Sequence, residues 1–185
     1  HARAYNVIEK SCHFYEAGRA FGEFQGWLAD FPAASLAEII PDFHNTAARM
    51  SAFDEAVCRN RAGRAEEVRE EIAYIQSRRQ EAGELSRLLA AGELPFRVTH
   101  NDTKINNILF DTQSDKAICV IDLDTVMPGS SLYDFGDAIR SGASTAAEDE
   151  EDLSKVALSL ELFEEFTRGF LEGTGGLLTG REIEL

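Results

Sequence analysis

Polar side chains crowd into one short stretch, His100-Asn101-Asp102-Thr103-Lys104-Ile105-Asn106-Asn107, set between apolar runs, and a second cluster, Asp122-Leu123-Asp124, follows Val120-Ile121. Such groups at the ends of apolar strands are unfavourable unless they meet one another or a ligand. Phosphoryl transfer uses a set of this kind. One carboxylate orients the attacking hydroxyl and accepts its proton, while an amide oxygen and a second carboxylate hold the magnesium ions that neutralise the β- and γ-phosphates. Asp102, Asn107 and Asp122 have the chemistry for those three parts, and Lys104, one of only four lysines in the chain, stands among them.

The elements that position these residues are mostly helical. Phe14, Ala17, Phe21, Phe24 and Leu28 alternate spacings of three and four, which predicts one long helix ending near Asp30, before Pro32. Gly18, Gly22 and Gly26 share a face of it and suit close packing of another element; no Gly-Lys-Ser/Thr follows, so they are not read as a phosphate loop. A second helical region is expected from Ser35 to Cys58, interrupted at Pro41, and a third is marked by Val68, Ile72, Ile75, Ala82, Leu85 and Leu89. The period then changes. Phe96-Arg97-Val98-Thr99, Ile108-Leu109-Phe110 and Ala117-Ile118-Cys119-Val120-Ile121 read as short strands, the last two forming a hairpin around Asp111-Thr112-Gln113-Ser114-Asp115. Helices return at Leu132 to Ser141 and at Leu153 to Leu171, with the acidic run Glu148-Asp149-Glu150-Glu151-Asp152 as a solvated loop and helix start.

Composition narrows the function classes. The 185 residues are 44% hydrophobic and 28% charged, which suits one soluble globular domain, with no apolar run of membrane-crossing length and no signal-like opening. A cytoplasmic address is the expectation. The three cysteines, Cys12, Cys58 and Cys119, are far apart and not at metal-ligand spacing, so buried thiols are expected in place of disulfides or a zinc site. A formal charge of -15 repels nucleic acid and anionic membranes. It also opposes an anionic nucleotide, so a phosphate site here must recruit a divalent cation.

Asp102-x-Lys104-x-x-Asn107 is similar to the Asp-x-Lys-x-x-Asn of the protein-kinase catalytic loop, and His100-x-Asp102 resembles the His-x-Asp opening that kinases share with the aminoglycoside phosphotransferases. Asp122 follows Asn107 by fifteen residues, where such proteins keep a metal-binding aspartate. The chain resembles the aminoglycoside phosphotransferase and choline kinase-like family. The stretches from His100 to Asn107, Val120 to Gly129 and Tyr133 to Arg140, with Ile40-Pro41-Asp42-Phe43-His44, look most like N-acetylhexosamine 1-kinases.

The resemblance implies an α+β, mostly helical fold: a protein-kinase-like C-terminal lobe whose small β-hairpin region carries the catalytic loop. It implies ATP and Mg2+ as cofactors and phosphorylation of a small-molecule hydroxyl, the anomeric hydroxyl of N-acetylglucosamine or N-acetylgalactosamine. It implies Asp102 as catalytic base, Lys104 as a γ-phosphate contact, and Asn107 and Asp122 as metal ligands. Asp124 stays open between a place beside the metal and a substrate contact. Asp134-Phe135-Gly136 spells the kinase metal motif but lies too far along, so Asp134 and Asp137 are expected to anchor the catalytic-loop backbone and His100 to brace it. His44 and Arg140 are candidates to face the sugar.

Neither a phosphate-covering loop nor a strand lysine is visible, and Lys10 beside Glu9 is no substitute. Together with the opening His1 and the capping box Thr179–Glu182 close to the end, this suggests one lobe of a longer chain, spanning residues 1–185 as a single domain with the N-terminal lobe absent and inactive when isolated. An aminoglycoside- or choline-type kinase with another acceptor is the nearest alternative, and two rivals of other kinds stand beside it. Asp122-Leu123-Asp124-Thr125-Val126 also fits the nucleophile motif of haloacid-dehalogenase phosphatases, and the fold could persist as an inactive, kinase-like sugar-binding module. Sulfatase chemistry is excluded, since no Cys/Ser-x-Pro-x-Arg pattern occurs.

Overall fold

The computed structural model describes residues 1–146 and 149–185. In chain order they form β1 (Ala2–Arg3), α1 (Ser11–Trp27), α2 (Thr46–Arg59), α3 (Arg69–Ser77), α4 (Arg79–Ala82), α5 (Glu84–Ala90), β2 (Arg97–Thr99), β3 (Ile108–Asp111), β4 (Ala117–Val120), β5 (Met127–Gly129), α6 (Ser131–Gly142), α7 (Leu160–Thr174) and α8 (Gly180–Glu184). The described residues form a mostly helical α+β fold with two small antiparallel sheets. Residues 1–39 and 96–185 make one compact unit and residues 40–95 a second.

In the first unit, α1 lies along α7, and glycines on both helices set the approach. A Cβ on Gly18 would stand 2.4 Å from Phe166 O, and one on Gly22 would stand 2.6 Å from Phe170 O. The reciprocal contacts belong to Gly169, whose Cβ would stand 2.0 Å from Tyr15 O, and Gly173, at 2.2 Å from Arg19 O. Gly26 is looser, at 3.7 Å from Gly173 O. Phe14 and Phe21 of α1 and Phe166 and Phe170 of α7 then meet Ile105, Ile108, Phe110 and Ala138 in one core. Each fully buried phenylalanine contributes about 1.5–3 kcal/mol.

The hairpin β3–β4 is antiparallel, with Ile108 opposite Val120, and β1 pairs along the other edge of β3. Its turn is fastened to the first turns of α1. Asp115 accepts from Lys10 Nζ at 2.5 Å and lies 3.3 Å from His13 Nε2. Glu16, buried on α1, takes Lys116 Nζ at 2.6 Å and the Ala117 N–H at 3.2 Å. Burial opposes ionisation of Glu16, but Lys116, Arg19 and the Ala117 N–H together hold its carboxyl below the usual range. The second sheet pairs β2 with β5, Thr99 opposite Met127 and Arg97 opposite Gly129.

In the second unit, Asn45 caps α2 by accepting from Ala48 N, and Asn60 ends it in the left-handed region at φ 38°. Asp54 of α2 pairs with Arg79 of α4 and accepts from Gln76 of α3.

Several expectations need correction. The region after Ser35 holds only a 3-10 turn at Ala33–Ser35 and no helix until Thr46. The third helix is broken at Arg78 and Gly83, and Val68 and Ile75 of its apolar stripe are exposed while Leu88 and Leu89 are buried. The last long helix begins at Leu160, after a 3-10 turn at Leu153–Lys155. All three cysteines are exposed. Lys10 precedes α1 with extended backbone. In the acidic run, Glu148 lies outside the described residues, and Asp152 starts the turn by accepting from Ser154 N. No helix among the described residues is long and apolar enough to cross a membrane.

The glycine pairs make a test of the α1–α7 contact. Gly169→Ala is expected to lower unfolding free energy in urea by about 2–3 kcal/mol, since backbone cannot yield as a side chain can. Gly26→Ala, with room for its methyl group, is expected to change stability by less than about 1 kcal/mol or to raise it. Equal effects at the two positions would contradict this packing.

Candidate active site

The loop between β2 and β3 contains no long helix or strand of its own, so its backbone groups must find partners elsewhere. They find them on α6. Asp134, with no exposure to solvent, accepts from the His100 N–H at 3.0 Å through Oδ2 and from the Asn101 N–H at 2.7 Å through Oδ1. Asp137, one helical turn on, accepts from the Thr103 N–H at 3.0 Å, and Thr103 Oγ1 donates to the Asp134 carbonyl at 2.5 Å. The expected anchoring by Asp134 and Asp137 is therefore present. Asn101 takes the left-handed conformation, φ 68°, that the bend requires.

His100 joins the two polar clusters. Its Nε2 lies 2.9 Å from the Ile121 carbonyl, which can only accept, and its Nδ1 lies 3.3 Å from the Asp102 N–H, which can only donate. Those partners require the neutral ring with its proton on Nε2. The rings of Phe21 and Phe24 on α1 meet His100 edge to face, with centroids 5.3 and 5.8 Å away. The strand side is closed by further backbone links: the Ile121 N–H donates to Asn107 O at 2.9 Å, Thr125 Oγ1 donates to His100 O at 2.7 Å, and Asn101 Nδ2 donates to Thr125 O at 2.9 Å.

Within this frame, Asn107 Nδ2 donates to the Asp102 carbonyl at 2.8 Å and to Asp102 Oδ2 at 3.0 Å, while Lys104 Nζ stands 3.3 Å from Asp102 Oδ1. Both oxygens of a half-buried carboxylate are thus oriented. Asn107 is itself buried, and with its N–H bonds spent on Asp102, its Oδ1 is the atom left to face a cation. Asp122 follows Ile121 in the left-handed region, φ 62°, a strained place for an aspartate. Asp122 and Asp124 are both exposed. Among the described residues, no three His, Cys, Asp or Glu side chains gather as a metal site. The oxygen set of Asn107 and Asp122 fits magnesium, which takes one or two carboxylates and completes its shell with water and substrate phosphates.

A family model described as the phosphotransferase enzyme family (APH) matches residues 9–171. The chain belongs to this family. It is a kinase-like phosphotransferase of the aminoglycoside phosphotransferase type, and the match runs from the residue before Lys10 into α7, across every polar group just described.

Membership weighs against the phosphatase alternative, as does the topology: after Asp122 the described residues form one three-residue strand followed by helices, where a haloacid-dehalogenase fold alternates the two. Of the sugar-facing candidates, Arg140 pairs with Asp137 Oδ1 at 3.0 Å and so supports the loop anchor, and His44 stacks edge to face on Phe43 in the second unit. Sequence reasoning missed Gln25, whose Nε2 donates to Asp134 Oδ2, Thr99, whose Oγ1 donates to Met127 O at 3.0 Å beneath the loop, and Thr125. Gln25 carried the one available signal, an uncharged polar residue beside the apolar stripe of α1.

The strand that leads into the loop is fixed by a buried ion pair. Arg97 donates from Nε to Glu182 Oε1 and from a terminal nitrogen to Oε2, both at 2.7 Å, and Ser131 Oγ adds a bond to Oε1 at 2.6 Å. Glu182 also closes the capping box of α8 with Thr179. Burial alone would raise the Glu182 carboxyl, but Arg97, Ser131 and the Thr179 N–H hold it down at about 2. Its folded value lies below its ordinary 4.5, so the stabilisation is complete above pH 4.5 and is lost as pH falls toward 2. Glu182→Gln is expected to lower stability at pH 7 by on the order of 3 kcal/mol and to flatten that acid limb in urea titrations. An unchanged slope between those pH values would contradict the ion pair.

Proposed function

We propose that the protein transfers the γ-phosphoryl group of ATP to a hydroxyl of a small molecule, and that the acceptor is the anomeric hydroxyl of an N-acetylhexosamine. The observation that carries the phosphotransfer assignment is the doubly oriented Asp102, held by Asn107 Nδ2 on one oxygen and Lys104 Nζ on the other, on a loop whose backbone is anchored to α6.

Asp102 acts as the base. A lone pair of its carboxylate faces the acceptor hydroxyl and takes the proton as the new oxygen–phosphorus bond forms and the bond to the leaving diphosphate breaks. Asn107 keeps the carboxylate aligned through its amide N–H and offers Oδ1 outward; Asp122 offers its carboxylate from the adjoining segment, with Asp124 close by in sequence. Magnesium held by these oxygens supplies charge neutralisation at the β- and γ-phosphates. Lys104, already beside Asp102, contacts the γ-phosphate and offsets charge that a chain of net -15 would otherwise repel. The sugar rests on likeness alone: residues 100–107, 120–129 and 133–140 resemble those of N-acetylhexosamine 1-kinases.

Asp102→Asn keeps the size and the Asn107 contact while removing the basic oxygen. In the full-length enzyme it is expected to lower kcat by about a thousandfold or more and leave acceptor binding within about threefold, read by coupled assay and calorimetry. Phosphorus NMR of products from a panel of amino sugars, aminoglycosides and choline is expected to show a sugar 1-phosphate. Turnover unaffected by Asp102→Asn would remove the base assignment, and phosphorylation of another panel member only would remove the acceptor.

A further inference from the structure

Gln25 is the least explained buried polar side chain of the first unit. It sits on α1 with 2% of its surface exposed, and its Nε2 donates to Asp134 Oδ2 at 2.7 Å. Its Oε1 is buried with no hydrogen-bond partner among the described residues. An unpaired buried amide oxygen is unfavourable, by about 1–3 kcal/mol. A leucine or methionine would fill the same volume without that penalty, so packing does not account for a glutamine here.

The other half of the amide does. Among the described residues, Asp134 Oδ2 receives the Gln25 Nε2 and the His100 N–H, while Oδ1 receives the Asn101 N–H. Burial pushes the Asp134 carboxyl up, against the pull of these three donors. Turning the Gln25 amide over would place oxygen against carboxylate and leave Oδ2 with one donor. The same turn of α1 places Phe21 and Phe24 against the His100 ring, whose Nδ1 receives the Asp102 N–H.

We propose that Gln25 is a positioning residue for phosphoryl transfer: its side-chain N–H fixes the buried Asp134 carboxylate, which in turn fixes the backbone of His100 and Asn101 and thereby the bearing of Asp102. The link to turnover rests on Asp102 being the base; the link to the loop does not.

The test therefore reads both in the full-length enzyme. Gln25→Met keeps the side-chain length and removes both polar atoms. Per folded active site it is expected to lower kcat about tenfold, with both KM values within about twofold, and to speed amide exchange at His100 and Asn101 about tenfold. Combined with Asp134→Asn, the loss in kcat is expected to fall short of the product of the single losses, since both act through one carboxylate. Gln25→Asn, whose amide ends one methylene short of Asp134, is the second variant and is expected to show the same exchange at His100 and Asn101. Unchanged exchange at those two amides in either folded variant would overturn the proposal. Faster exchange with kcat unchanged, in an enzyme that Asp102→Asn inactivates, would keep the loop link and overturn the role of Gln25 in turnover; the same result with Asp102→Asn still active would overturn the assignment of Asp102 as base.

Discussion

A carboxylate sealed from solvent, Asp134, holds the backbone N–H groups of His100 and Asn101, and the geometry of the whole polar cluster descends from that contact. A loop with few internal hydrogen bonds has no shape of its own. Here its shape is imposed from α6, by Asp134 at its start and by Asp137 at Thr103. Burying a carboxylate is unfavourable unless its oxygens are satisfied, so the arrangement works only if loop, α6 and Gln25 of α1 come together at once.

Helix α1 serves as the reference against which the site is laid out. Near its start, His13 and Glu16, with Lys10 just before it, grip the tip of the hairpin that begins beside Asn107 and ends beside Asp122. Near its end, Phe21, Phe24 and Gln25 meet His100 and Asp134. Between these contacts the glycines let α7 lie against it at backbone distance. One rigid element therefore couples the segment of the proposed base to the segments of the proposed metal ligands.

Much of this was legible in the sequence, for physical reasons that differ by residue. The polar loop stood out because polar types at fixed spacing between apolar runs have few other uses, and Asp134 and Asp137 because Asp134-Phe135-Gly136 lies too far along to be the metal motif and falls where a helix opens. The glycines of α1 signalled close packing, but their partners Gly169 and Gly173 carry no label saying which helix they face. Gln25 was obscured because one glutamine near an apolar stripe looks like a surface position until α6 is in place. Strand β2 was legible in Phe96-Arg97-Val98-Thr99, but β5 was not, since Pro128 argues against a strand on local grounds and only pairing with β2 creates it. The stripe from Val68 to Leu89 kept helical period across Arg78 and Gly83, where the backbone turns aside, so periodicity overstated the helix.

The convergence of Asn107 and Asp122 on one ion is the claim on which the chemistry turns. Backbone links bring their segments together, with the residue before Asp122 bonded to the Asn107 carbonyl. The most direct measurement is electron paramagnetic resonance of Mn2+ with ATP bound to the full-length enzyme, for the parent sequence, Asn107→Ala and Asp122→Ala. The arrangement described here requires both substitutions to weaken Mn2+–nucleotide binding by about tenfold or more. Undiminished binding in either variant would contradict it.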